Sequence, residues 1–393
     1  MKDTKELDRE YIVPTYRRFD VNITGGAGSL LTDAGGKEYI DMGAGIATNS
    51  FGACDPEWVA AVTEQLSRIQ HASNLYYTDP CARLAALLCE KTGMKKVFFP
   101  NSGAEANECA IKTARKWAAE NKGPEYFTVV TMKNSFHGRT LATLAATGQA
   151  VFHKDFLPLT PGFAYAEPED AAELEEILKN EKCAAVLLET VQGEGGVRPL
   201  STEYIKAVAG LCEKYDVLLM IDEVQTGNGR CGYMYSYMEH GVHPDVVTTA
   251  KGLGGGLPVG AVLFSEKTAG VLTAGTHGST FGGNPVCCAG AISVVSRLDE
   301  ELFASVRRKS AHIFEKLSGK PGIKGVYGRG LLIGIETEED AASFIGKCIS
   351  AGVLVLGAKG RVRLAPPLNI PDGLLDRALD VILAVAEKGE TTE

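Results

Sequence analysis

Six short apolar runs, at residues 96–100, 127–131, 184–188, 217–221, 246–249 and 260–264, punctuate the middle of this chain. Amphipathic stretches such as 103–120 and 202–215 separate most of them. Strands that are apolar along their whole length must be covered on both faces, and helix-length crossovers join successive strands in parallel. The pattern predicts an α/β fold whose large domain has a mostly parallel central sheet flanked by helices.

The last hundred residues change character. A helical pattern over about 286–317 precedes a strand-like 331–336, a helix near 340–351, strands at 353–356 and 361–364, and a closing helix near 372–388. This reads as a smaller α+β domain. The first 45 residues are too few for a core of their own. The expected organisation is an N-terminal segment 1–45 packing with the small domain, a large cofactor-binding domain 46–290 and a small C-terminal domain 291–393, and 393 residues suit two such bodies.

Charge excludes some functions. With 40 basic against 49 acidic residues the net charge is −9, and no basic cluster offsets it, which argues against a nucleic-acid or membrane partner. No apolar run approaches the roughly 18 residues of a membrane-spanning helix, and the first ten residues are charged where a signal peptide is apolar. A cytoplasmic protein is expected. The ten cysteines contain no CxxC spacing and read as free thiols, and the seven histidines never take a metal-ligand spacing.

Ligands of open α/β sheets bind beyond the carboxyl ends of the strands. After the first run comes Asn101-Ser102-Gly103-Ala104-Glu105, where Ser102 and Glu105 have capping-box spacing and the next helix's free N–H groups face any anion placed there. Taken alone this is equally a well-capped helix. Asp222 ends the run 217–221; it serves either as a helix cap or as a buried carboxylate that demands a cationic partner. Lys251 follows another run and precedes four glycines in five positions, so backbone can approach a flat ligand there. A desolvated lysine is also the residue that forms Schiff bases. Anion cradle, strand-end carboxylate and strand-end lysine match the three demands of pyridoxal phosphate, and Phe136 supplies an aromatic face for its ring.

On these residues the sequence resembles the class III, or ornithine-type, aminotransferases of the pyridoxal-phosphate fold type I superfamily. The likeness spans nearly the whole chain. It runs from Pro14-Thr15-Tyr16 through the segments 101–107, 136–140, 189–196, 222–227, 251–256 and 279–284 to Arg363-Leu364-Ala365-Pro366-Pro367. The resemblance implies that Lys251 binds the cofactor and shuttles a proton, that Asp222 pairs with the ring nitrogen, and that Gln225 bonds the ring hydroxyl. It further implies that Ser102, Gly103 and Ala104 hold the phosphate and Phe136 stacks on the ring. Thr280 is expected to reach the phosphate in the neighbouring subunit, which makes the active unit a homodimer with composite sites.

For the substrates, the resemblance implies that Tyr16 contributes to substrate binding and that Arg139 and Arg363 bind carboxylates. Glu194 neutralises Arg363 when an ω-amino donor is bound and leaves it for glutamate, while Glu189 holds the site's hydrogen bonds. The implied reaction moves the δ-amino group of N2-acetylornithine to 2-oxoglutarate, giving the semialdehyde and glutamate in arginine biosynthesis. Succinyldiaminopimelate, succinylornithine, ornithine and 4-aminobutyrate are alternative donors; an aminomutase of the glutamate-semialdehyde type or a non-catalytic pyridoxal-phosphate binder is the alternative of a different class. Two local features stand apart. Residues 52–56 depart from the family's loop pattern, and Arg361 is a further cation for which the resemblance supplies no role.

Overall fold

A computed structural model describes residues 2–389. Its centre is a seven-stranded sheet in the order Lys96–Phe98, Ala261–Phe264, Val246–Thr249, Leu218–Asp222, Cys183–Leu188, Thr128–Met132 and Phe163–Ala166. Ala261–Phe264 is antiparallel to both of its neighbours, and the remaining pairs are parallel. All six apolar runs are strands of this sheet. The seventh strand, Phe163–Ala166, is a half-buried edge, and its four residues carry too little apolar signal to stand out.

Burial on both faces follows residue by residue. Leu218 and Met220 join one hydrophobic cluster, whereas Leu219 and Ile221 of the same strand join the other. The helix Gly103–Asn121 covers the first face with Ala106, Ala110, Ala114 and Ala118, spaced four apart. Small side chains at that spacing let its backbone lie close to the sheet.

The helical pattern over 286–317 is two helices, Pro285–Ser296 and Glu300–Leu317. Asp299 breaks the pattern because its carboxylate accepts from the backbone N–H of Leu302 at 2.9 Å and caps the second helix. The C-terminal sheet runs Ile323–Arg329, Leu332–Thr337, Arg361–Leu364, Leu356–Ala358, all antiparallel. Its first strand was not expected, since Gly325 and Gly328 dilute the strand signal. The helices Ala341–Ser350 and Asp372–Gly389 complete this part.

Near the N-terminus, the strands Ile23–Ala27, Leu30–Asp33 and Glu38–Asp41 form a meander, and Glu38–Asp41 pairs in parallel with Val353–Leu354. The chain's beginning is thereby tied to its C-terminal part. All ten cysteines are free.

Candidate active site

The carboxyl ends of the central strands open into a cavity of about 410 Å³, a size suited to a small ligand. Asp222, the last residue of Leu218–Asp222, stands at its floor and is 3% exposed. Three donors surround the carboxylate. Asn107 Nδ2 and His137 Nδ1 reach Oδ2 at 2.7 and 2.8 Å, and the Val224 N–H reaches Oδ1 at 2.9 Å. Asn107 is fixed in turn by Thr248 Oγ1, which donates to its Oδ1 at 2.7 Å.

On one wall, Ser102 caps the helix Gly103–Asn121 and accepts from the Glu105 N–H at 3.2 Å. The reciprocal half of the expected capping box is displaced by one residue, because the Glu105 carboxylate takes the N–H of Asn101 at 2.6 Å. The first-turn N–H groups of Gly103 and Ala104 have no partner within the helix and line the cavity. Position 103 requires glycine, since a Cβ there would lie 2.6 Å from Val224 Cγ1. An anion cradle at a helix N-terminus is the result.

Lys251 opens a short 3-10 turn, Lys251–Gly254, and lines the same cavity. Desolvation lowers its pKa below the ordinary lysine value, against the opposing pull of Glu194 and Asp222. An amine so placed is available as a nucleophile and a base nearer neutral pH than a surface lysine. Phe136 stands half-buried on the wall, edge-on to Phe152 with centroids 5.8 Å apart, and the Arg139 guanidinium lies 4.1 Å from the Phe152 ring.

Glu189 is buried beyond the end of Cys183–Leu188 and accepts from the N–H groups of Phe136 and Gly193 at 3.0 and 3.3 Å. Burial raises its pKa, with the neighbouring charge of His137 working the other way. Glu194 lies farther along, in a hairpin loop whose arms are Val191–Gln192 and Arg198–Pro199. Its Oε1 meets Arg363 Nη1 at 2.5 Å, and Gln225, itself on the cavity wall, bridges the two.

The structure thus brings Ser102, Gly103, Ala104, Phe136, Arg139, Glu189, Asp222, Gln225 and Lys251 to one cavity and attaches Glu194 and Arg363 through Gln225. Tyr16 and Thr280 are exposed and do not line the cavity of this chain. Asn107 and His137 are contributors the sequence reasoning passed over. Both sit inside motifs it quoted, and a polar residue one turn into a buried alanine face was the available signal for Asn107. In the divergent 52–56 loop, Asp55 caps the helix Pro56–Arg68 and pairs with Arg297 at 2.8 Å, a packing role.

The site fits pyridoxal phosphate on these observations. A helix N-terminus suits the phosphate, a buried carboxylate held by three donors suits a protonated ring nitrogen, and a desolvated lysine suits the aldehyde.

The chain is also similar to known proteins. Residues 11–385 match the family described as aminotransferase class-III. The acetylornithine aminotransferase of Haemophilus ducreyi is 46% identical over 383 residues, covering 97% of this chain and 98% of that one. Among solved structures, an ornithine aminotransferase from Toxoplasma gondii with partial occupancy of PLP at its active site superposes with a TM-score of 0.94 at 35% identity, covering 99% of this chain and 96% of that one. The N-acetylornithine aminotransferase of Stenotrophomonas maltophilia gives 0.83 at 34%, covering 98% and 99%. On the family match and these relatives, the chain belongs to the class-III aminotransferases.

Proposed function

We infer that this enzyme transfers the δ-amino group of N2-acetylornithine to 2-oxoglutarate, giving N-acetylglutamate 5-semialdehyde and glutamate in arginine biosynthesis. The observation that carries the reading is the Glu194–Gln225–Arg363 cluster at the edge of the Lys251 cavity. An arginine already neutralised by an internal glutamate accepts the uncharged methylene chain next to an ω-amine. The same arginine, once released, accepts the α-carboxylate of glutamate. Curated relatives named acetylornithine aminotransferase, from Haemophilus ducreyi and Caldanaerobacter subterraneus among others, support the choice of donor.

Pyridoxal phosphate, when bound, supplies the electron sink that lets an amino group leave one substrate and join the next. Ser102, Gly103 and Ala104 would hold its phosphate, Phe136 would stack on its ring and Gln225 would bond its hydroxyl. Asp222 would pair with the ring nitrogen, and the donors from Asn107, His137 and Val224 hold its carboxylate in place. Lys251 Nζ would take and hold the proton from the substrate carbon that bears the amine. Arg363 grips the α-carboxylate of glutamate in two-pronged fashion and Arg139 binds the distal carboxylate, while Tyr16, exposed outside this chain's cavity, is assigned to substrate binding without a named group. Glu189 secures the Phe136 and Gly193 backbone beneath them.

The assembly we propose is a homodimer in which Thr280, exposed here, serves the neighbouring subunit's cofactor. Leu75, Tyr76, Tyr77 and Phe281, all exposed apolar side chains, supply a surface for that contact. The domain division is 46–290 for the large body and 291–393 for the small one, with 1–45 joined to the latter through the Glu38–Asp41 pairing. Ten free cysteines favour the cytoplasm. A panel of amino donors with 2-oxoglutarate tests the reaction. The highest kcat/KM is expected on N2-acetylornithine, and a far higher value on free ornithine or 4-aminobutyrate would overturn the donor.

A further inference from the structure

Arg361 stands two residues before Arg363 on the strand Arg361–Leu364, so the pleat sends both side chains from one face. Both reach the loop 193–197 that carries Glu194. Arg363 takes the carboxylate of Glu194, whereas Arg361 takes the main chain, with Nη1 donating to the Gly196 carbonyl at 2.8 Å. The rest of the Arg361 guanidinium is anchored on the C-terminal sheet. Nη2 and Nε donate to Glu336 Oε2 at 2.9 and 3.3 Å, and the group lies 3.6 Å from the centre of the Tyr327 ring. Glu336 and Tyr327 come from two adjacent strands, so the guanidinium is fixed before it meets the loop.

The loop has a second tether at its other end, where the Gly193 N–H donates to buried Glu189. Gly196 has φ 103, a conformation that side-chain-bearing residues rarely adopt, so the carbonyl that accepts from Arg361 belongs to a turn that favours glycine. A loop held at both ends presents Glu194 to Arg363 without first losing conformational freedom. A loop free at one end meets that entropic cost each time the pair closes.

We propose that Arg361 is a positioning residue: it holds the 193–197 loop in register with the Arg363 strand so that Glu194 closes on Arg363, and it thereby sets the preference for an ω-amino donor over substrates that present an α-carboxylate to Arg363. The proposal rests on the roles given above to Glu194 and Arg363. It assigns the effect to the donor half-reaction, because only there must the pair be closed.

The test is Arg361→Met in the holoenzyme, which keeps an apolar stem and removes every donor. Single-turnover half-reactions are measured separately with N2-acetylornithine and with glutamate. The donor half-reaction is expected to lose about tenfold in kcat/KM, the scale of one charge-assisted hydrogen bond, while the glutamate half-reaction is unchanged or faster. Hydrogen exchange of peptides spanning 191–199 is expected to accelerate, with the 101–107 peptides unchanged. In a Glu194→Gln background the change is expected to leave the ratio of the two half-reactions where it was. Equal losses in both half-reactions, unaltered exchange in 191–199, or the same drop in ratio in the Glu194→Gln background would overturn the proposal. Should Arg361→Met not fold, Arg361→Lys keeps the charge without the planar stack, and a ratio equal to wild type there counts against the role. A wild-type enzyme that does not use N2-acetylornithine refutes the donor assignment instead, and loop exchange then decides the role of Arg361 by itself.

Discussion

Arg363 Nη1 lies 2.5 Å from Glu194 Oε1 and 2.9 Å from Gln225 Oε1, so one arginine nitrogen is shared by two side chains that are themselves joined at 3.3 Å. Burial pushes the Glu194 carboxyl up, but the charge and hydrogen bond of Arg363 outweigh it, and its pKa ends below the ordinary value. The Glu194 carboxylate is therefore ionised at neutral pH. In the proposed reaction a substrate carboxylate replaces Glu194 on Arg363.

Arg363→Ala removes the group to which we assign the glutamate α-carboxylate. The glutamate half-reaction is expected to fall by roughly 100-fold or more in kcat/KM, the scale of truncating one partner of a buried charge pair, and the acetylornithine half-reaction by much less. Separate half-reaction kinetics check this; equal losses would remove the role.

Glu194→Ala has the opposite signature. Arg363 stays available to any α-carboxylate, so activity with glutamate and other α-amino acids is expected to hold or rise as selectivity for the ω-amine falls. Comparing kcat/KM across α- and ω-amino donors reads the shift directly.

Lys251→Ala removes the amine while the phosphate cradle and Asp222 remain. The variant is expected to retain pyridoxal phosphate only reversibly and to lose transaminase activity. Borohydride reduction followed by mass measurement of the intact chain distinguishes the two: wild type gains the cofactor's mass and the variant does not.

Asn107→Leu deletes one donor to Asp222 and strands the Thr248 hydroxyl that Asn107 accepts. Leaving a buried hydroxyl unpaired costs about 1–3 kcal/mol, so a lowered midpoint of thermal inactivation is expected. Weaker cofactor retention should accompany it, measured by dialysis.

Glu223 supplies a pH dependence with a definite sign. It is fully buried, and desolvation pushes its carboxyl up to about 7 from 4.5, although Thr226 Oγ1 and the Tyr237 N–H donate to it at 2.5 and 2.8 Å. The folded chain thus holds a proton that the unfolded chain releases. This contribution to stability, on the order of 3 kcal/mol, is complete below about pH 4.5 and is lost as pH rises toward about 7. Glu223→Gln mimics the protonated acid, and urea unfolding of the variant is expected to be flatter across that window.

Much of the site was legible because its chemistry is carried at strand ends. The apolar run 217–221 announces the buried strand Leu218–Asp222, and Asp222 is conspicuous as the charge that ends it. Lys251 and its glycines, and Ser102 before a helical pattern, are visible for the same reason. Phe163–Ala166 and Ile323–Arg329 were not, because a half-buried edge strand and a glycine-diluted one owe their pairing to neighbours rather than to their own pattern. Asp299 was overlooked as a break because the apolar periodicity continues on both sides of it.

The sequence by itself determined which groups could meet a cofactor, since hydrophobic runs set the strands and the strand ends carry the cradle, the carboxylate and the lysine. Tertiary structure decided which of those groups touch. Arg363 meets Glu194 across 169 residues, Asn107 and His137 meet Asp222 across 115 and 85, and Arg361 finds the Gly196 carbonyl across 165. Such contacts depend on sheet order and register, and a shift of one residue along Arg361–Leu364 would turn both arginines to the opposite face. Local composition contains no record of that register, which is fixed by packing the C-terminal sheet against the loop that carries Glu194.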